Sequence, residues 1–210
     1  CWRCGTVVEQ KEVEQWFLRI TDFADELLWE NKDEKISNGV DWPKSVREAQ
    51  NNWIGRSEGI VIKFGEIEVF TTKPETIDGA SFLVLAPEHP IAKKIETKEV
   101  QDYIKKASTK SELERKEDKT KTGIDSGLTV ANPVTGKDIP VWISDYVLGG
   151  YGTGAIMAVP FADERDREFA QKFDLPIIET KFDSKPEGEK RVNYHLRDWS
   201  ISRQRYWGTP

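Results

Sequence analysis

The chain has 210 residues, enough for one good core and an appendage. Hydrophobic residues make up 37% and charged residues 32%, the balance of a soluble globular protein, and the formal net charge of −6 argues against wrapping DNA or RNA over a wide face. The longest apolar runs, "SFLVLAP" and "AIMAVP", are too short to span a bilayer and no charged-then-apolar leader opens the chain, so no membrane partner and no secretion are expected and the expected location is cytoplasmic.

In chain order, the first residue is Cys1 rather than Met, which fits a piece of a larger protein. Cys1 and Cys4 form the knuckle "CWRCG", two of the four ligands a structural zinc takes; no second knuckle follows, so the pair reads either as two idle thiols or as half a zinc site. From Val8 to Glu30, apolar residues at Val13, Phe17, Ile20, Phe23, Ala24, Leu27 and Leu28 predict one long amphipathic helix. A polar loop with Gly39 and Pro43 leads to a short helix near Val46–Asn52. "GIVIKFGEIEVFTT" alternates around Gly65 and predicts a β-hairpin, and "SFLVLAP" predicts a buried strand. The charged stretch from His89 to Lys119 predicts helices with turns. Strands are expected at "GLTVANP", "IPVWISDYVL", "GAIMAVP" and "LPIIET", a helix at "ADERDREFAQKF", and a loop over Asp183–Glu189. Strands do not alternate regularly with helices, so the expected fold is mixed α/β and strand-rich, a small β-barrel or mixed sheet with peripheral helices rather than a doubly wound sheet. The expected division is a helical lead-in over 1–50, a main domain over 51–190 and a return segment over 191–210.

The candidate chemistry lies in three places. "TTKPETIDGASFLVLAPEH" sets Thr71, Thr72 and Thr76 around Pro74, ahead of Gly79 and a buried strand; hydroxyls on such a turn line a small polar pocket. "GGYGTGA" carries Gly149, Gly150, Gly152 and Gly154, which is a tight turn or a place where a ligand approaches backbone. "VPFADERDREFA" places Asp163 and Asp166 one helical turn apart at a helix start, where acidic residues also serve the helix dipole. A carboxylate holds an ammonium, hydroxyls hold a hydroxyl-bearing substrate or a water, and exposed N–H groups polarise a carbonyl: the parts needed to hydrolyse an α-amino ester. The two histidines, His89 and His195, stand near no serine or cysteine nucleophile in sequence, and there is no Gly-x-x-x-x-Gly-Lys phosphate loop. Near the C-terminus Lys190, Arg191, Arg197, Arg203 and Arg205 interleave with Tyr194, Trp199, Tyr206 and Trp207, which is either a grip for a few phosphates or a solvated surface with its aromatics packed inward.

"FTTKPETIDGASFLVLAPEHP", "DYVLGGYGTGAIMAVPFADERDREFA" and "NYHLRDWSISRQRYWGTP" resemble the leucyl-tRNA synthetase family, its inserted editing domain and both flanks; "CWRCGTVVEQKEVEQWFLRITDFADELL" and "NWIGRSEG" resemble the lead-in. The resemblance covers nearly the whole chain, in order. It implies a small β-barrel editing domain that receives the 3′ end of a leucine tRNA charged with a wrong amino acid, such as norvaline or isoleucine, and hydrolyses the ester. By the same resemblance Asp166 pairs with the substrate α-ammonium, and Thr71 and Thr72 bind the amino ester and the attacking water. Thr76 crowds a leucyl group and so protects the correct product. Met157 and Val159 wall the pocket, Tyr151 lies beside the terminal adenosine, and Asp163 supports the site. Water attacks, helped by a ribose hydroxyl, with no protein nucleophile and no cofactor; ATP and magnesium belong to the parent enzyme alone, and the remainder of that synthetase is the second expected partner.

The chain departs from the family pattern at several positions. Lys73 stands where arginine is usual, Glu75 where aspartate is common, and Asp78 where an apolar residue is usual. Phe161 and Ala162 replace a small residue and a histidine, and the stretch Ile178–Glu189 is shorter by several tens of residues. The ATP-binding signatures of the synthetic core are missing, so the chain is not expected to aminoacylate. Two other readings stay open: a catalytically weak module that only binds the acceptor end, and an editing domain of the isoleucine type.

Overall fold

The computed structural model describes residues 4–5, 14–29, 42–110, 114–115, 121–150 and 152–201. Their described parts divide into two compact units, drawn from Glu58–Arg191 and from Lys11–Ser57 with Val192–Pro210.

In the first unit β2 (Ser57–Phe64) and β3 (Ile67–Thr71) form the expected hairpin, in register from Phe64↔Ile67 to Ile60↔Thr71. Its two-residue loop starts with Gly65 at φ 62°, the backbone that a II′-type turn requires and that glycine adopts without strain. β8 (Glu189–Asn193) completes a sheet in the order β3-β2-β8. A second sheet runs β5-β6-β4-β7, from Ile124–Ala131, Asp138–Ile143, Phe82–Leu85 and Ala155–Ala158. Its β4 is parallel to β6 and antiparallel to β7, and every β4 side chain is buried.

The two-residue period of β4 divides the interior. Leu83 and Leu85 join Phe64, Ile67, Val69, Ile77, Met157 and Val159 in one core. Phe82 and Val84 face the other way, onto Phe169 and Ala170 of α4 (Glu164–Lys172). Phe82 stacks on Phe169 with centroids 5.5 Å apart, and Trp142 meets Phe169 edge-on at 5.6 Å; full burial of one such ring is worth ~2–3 kcal/mol. Between β4 and β5 lie α2 (Pro90–Lys93) and α3 (Lys98–Ser108), the helices expected in that charged stretch.

The mixed α/β, strand-rich character is as expected. Among the described residues the ladders make open sheets and no closed barrel. "LPIIET" is not a strand: residues 174–188 join no ladder. Asp174 turns the chain at φ 53°, and Pro176 has no N–H to give a neighbour.

In the second unit α1 (Lys44–Ile54) is the expected short helix, ended by Gly55 at φ 60°, whose N–H reaches Asn51 O at 2.8 Å. The long helix expected over Val8–Glu30 is absent from its described part, residues 14–29. There the chain forms β1 (Phe17–Leu18), a 3-10 helix at Ile20–Phe23 and turns. The helical spacing still records a buried face: Ala24 is in a core with Ile54 and Leu196, and Ile20 and Leu28 pack against it. Competing partners hold the backbone. β1 pairs with β9 (Trp199–Ser200), Asp198 accepts from the N–H and hydroxyl of Thr21, and Asn51 clasps Trp29 N and O at 2.9 and 3.0 Å. A helix there would forfeit these bonds. Of the aromatic, basic C-terminal run, Tyr194 donates to Asp25 and Trp199 stands 54% exposed rather than packed inward. Arg203, Arg205, Tyr206 and Trp207 lie outside the described residues.

Candidate active site

The threonine turn follows β3 directly. Thr71 is half-buried, and its hydroxyl accepts the Lys73 N–H at 3.1 Å, while Thr72 is exposed. Pro74, at the first helical position where a missing N–H costs nothing, opens a 3-10 helix over Pro74–Gly79. Thr76 on that helix is 8% exposed and donates to Lys73 O at 2.7 Å. Ile77 is fully buried, and its carbonyl accepts from Asn132 Nδ2 at 2.9 Å. Gly79 is tightly enclosed: a Cβ there would lie 2.9 Å from the Phe182 ring and 3.1 Å from Val159 Cγ1, so one of those side chains would have to give way.

Met157 and Val159 are buried, Met157 on β7 opposite Leu83 and Val159 just beyond the strand. After them Asp163 caps α4, accepting from Arg165 N at 2.9 Å and Asp166 N at 3.3 Å. Partial burial opposes its charge, but the Arg165 guanidinium and the two N–H groups outweigh this and hold its carboxyl below the usual range. The plain helix-cap reading of Asp163 is thus realised, and the same carboxylate holds the backbone of Asp166.

Asp166 is 6% exposed. Its Oδ2 accepts from Val159 N at 2.8 Å and its Oδ1 from the Tyr146 hydroxyl at 3.3 Å. Burial pushes its carboxyl up to about 6; the Val159 N–H opposes this, the Asp163 charge adds to it, and Tyr146 and Arg165 oppose it. The Tyr146 hydroxyl is pushed well up in turn, by burial and then by the Asp166 charge. Tyr146 was not singled out as a site residue: it lies twenty positions before Asp166, near the start of the "DYVLGGYGTGA" motif, and no spacing rule links the two.

The turn and the aspartates therefore meet at Val159, whose side chain faces Gly79 and whose N–H holds Asp166. The glycine turn is tied to the end of β4 by Ala86 N to Gly154 O at 2.8 Å, with Gly149 set against Glu88. Tyr151 lies outside the described residues. His89 caps α2 by accepting Ile91 N at 3.2 Å, and burial lowers its pKa. Cys4 is exposed and Cys1 lies outside the described residues, among which no group of three or more metal-ligating side chains gathers. A cleft of about 280 Å³ in the other unit is lined by Trp29, Lys44, Arg47, Glu48, Asn51 and Asn52. No described helix is long and apolar enough to cross a membrane.

A family profile described as leucyl-tRNA synthetase, editing domain, matches residues 51–197. The chain belongs to this family. Leucine–tRNA ligases from two Dehalococcoides mccartyi strains, CBDB1 and BAV1, are each 43% identical over 265 residues, covering 100% of this chain and 32% of their own length. An alignment of 265 positions against 210 residues leaves about 55 positions that this editing-domain chain lacks. Among solved structures, the Agrobacterium radiobacter K84 AgnB2 leucyl-tRNA synthetase, in a ternary complex with tRNA and LeuAMS, superimposes with a TM-score of 0.78 at 36% identity, over 100% of this chain and 28% of that one. The chain thus spans about a third of the length of the synthetases it matches.

Proposed function

We propose that this chain is the editing module of a leucyl-tRNA synthetase, hydrolysing the ester of a leucine tRNA charged with norvaline, isoleucine or a similar residue and sparing leucyl-tRNA. The observation that carries this is Asp166, a buried carboxylate that no cation pairs with among the described residues, beside the buried wall of Met157 and Val159. A carboxylate has about four lone-pair sites. Val159 N–H and Tyr146 use two, which leaves room for a substrate ammonium that supplies the missing counter-charge. Thr71 and Thr72 hold the ester and the attacking water, Thr76 refuses the leucyl branch, Tyr151 borders the terminal adenosine, and Asp163 keeps Asp166 in place. Water is the nucleophile, so no metal or cofactor enters the reaction. The 3′ end of the tRNA and the rest of the synthetase are its partners. A second sieve is useful because an apolar pocket separates substrates differing by one methylene by only ~1–3 kcal/mol.

A second reading is a weak acceptor-end binder. It draws on the two hydrogen bonds already made by Asp166, which staple α4 to the segments that follow β6 and β7, and on the net charge of −6. Deacylation of isoleucyl- and norvalyl-leucine tRNA decides between them. The enzyme reading expects turnover that Asp166→Ala abolishes, and a Thr76→Ala variant that also hydrolyses leucyl-tRNA. Turnover unaffected by Asp166→Ala would remove its anchoring role, and no turnover by the unaltered chain leaves the binder.

A further inference from the structure

Residues 174–188 join no ladder, yet their middle is fixed at one point. Asp78 Oδ2 accepts the backbone N–H of Ser184 at 3.0 Å and of Asp183 at 3.2 Å, while Oδ1 accepts the Ser184 hydroxyl at 2.5 Å. Three donors on one carboxylate make a charge-assisted clamp rather than a passing surface contact. The residue before the clamp, Phe182, closes on the Pro74–Gly79 helix at Gly79 and stands 6.2 Å from the Phe161 ring. The carbonyl of Ile178 lies 3.6 Å from the same Gly79 position. This strap therefore covers the short helix that carries Thr76, next to the Val159 side chain.

We propose that Asp78 is a specificity-positioning residue: by clamping the 178–184 strap onto the Thr76 helix, it makes the pocket wall stiff enough to refuse a leucyl side chain. The inference rests on the editing function proposed above. A shape sieve discriminates only if its wall does not yield. A six-residue 3-10 helix has too few internal hydrogen bonds to be stiff by itself, so its rigidity comes from outside. Asn132 anchors it at Ile77 O, and the strap anchors it at Asp78 and Gly79. The two anchors are independent, so loss of the Asp78 clamp leaves the helix in place but free to give. The unusual aspartate and the short Ile178–Glu189 connection then have one explanation: the clamp does by hydrogen bonding what a longer connection would do by packing.

The test compares the chain with Asp78→Ala, Asp78→Asn and Ser184→Ala, using norvalyl- and leucyl-leucine tRNA as paired substrates, with backbone amide exchange at Asp183 and Ser184 read in parallel. Asp78→Ala is expected to speed exchange at both amides and to cut the preference for norvalyl- over leucyl-tRNA about tenfold, within the range one methylene commands in an apolar pocket. Asp78→Asn keeps an oxygen facing the two amides and recovers most of the preference, and Ser184→Ala falls between. A merely structural defect would lower both rates together and leave their ratio unchanged. An unchanged ratio in Asp78→Ala, with the unaltered chain selective, overturns the inference and spares the editing function. If the unaltered chain hydrolyses neither substrate, the editing function fails and the inference falls with it.

Discussion

Asp166 joins stability to activity at the scale of one side chain. Its carboxyl titrates at about 6 in the folded protein, above an ordinary value of 3.8. Between about pH 4 and 6 the folded state therefore binds more protons than the unfolded chain, and stability falls as pH rises through that window. Above it the full cost stands, ~3 kcal/mol for a shift of about two units. Asp163, held below its usual range, acts on the acid side of that window and does not offset the effect. Asp166→Asn is expected to raise stability at pH 7 by ~1–3 kcal/mol in denaturant titrations, to flatten the pH 4–6 slope, and to abolish deacylation. Activity follows the opposite sign, since an ammonium is held only by the ionised acid: kcat/KM for a misacylated tRNA falls as pH drops below about 6. Tyr146 favours the ionised form by donating to it, so Tyr146→Phe moves that acid limb to higher pH. A limb that stays in place in Tyr146→Phe would mean that another group sets it.

Among elements, the β2–β3 hairpin carries Thr71 to the start of the proposed threonine turn, and Gly59 lets it do so. A Cβ at Gly59 would lie 2.3 Å from Thr71 O and 2.8 Å from the Phe70 ring. Backbone cannot step aside as a flexible side chain does, so Gly59→Ala is expected to cost ~1–3 kcal/mol of stability and to lower deacylation by displacing Thr71. Chemical denaturation with a paired activity assay checks both, and full activity would show that the threonine turn tolerates the shift. The hairpin was legible because everything local agreed: alternation, β-branched residues, and glycine at the left-handed turn position. β4 was legible as an apolar run, and the Asp163/Asp166 pair by its spacing. Residues 14–29 were not legible as irregular structure, because the apolar spacing of a buried face is the same whether helix or turns present it. What decided the backbone, Asp198 and Asn51, lies far along the chain. The strand expected at "LPIIET" failed for a related reason: a run rich in isoleucine has strand propensity, but a strand needs a partner, and none reaches residues 174–188. Tyr146 and the Asp78 clamp were hidden likewise, each depending on a pairing between segments distant in sequence.

Across the whole molecule, the two units differ in how they meet solvent. The first buries most of its large apolar residues in two cores around β4, and leaves only Leu128, Val134, Phe161 and Ile177 exposed among its described ones. The second leaves Trp16 78% and Trp53 66% exposed, and its β1–β9 ribbon also shows Phe17, Leu18, Trp199 and Ile201. Large aromatics gathered on one ribbon exceed the scattered apolar exposure normal for a protein surface. The chain is therefore expected to self-associate with rising concentration, a second copy shielding the Trp16, Phe17, Leu18, Trp199 and Ile201 side chains of the ribbon. Replacing Trp16 and Trp199 with Ser removes the two largest exposed rings of the ribbon without touching the Ala24, Ile54 and Leu196 core. Sedimentation velocity across a concentration series is expected to show the weight-average mass rising for the unaltered chain and staying near the 24.1 kDa monomer for the double variant. Deacylation per chain should be equal in the two, because none of the proposed site residues lies on the ribbon. Association that persists in the double variant would place the self-associating surface elsewhere than the ribbon.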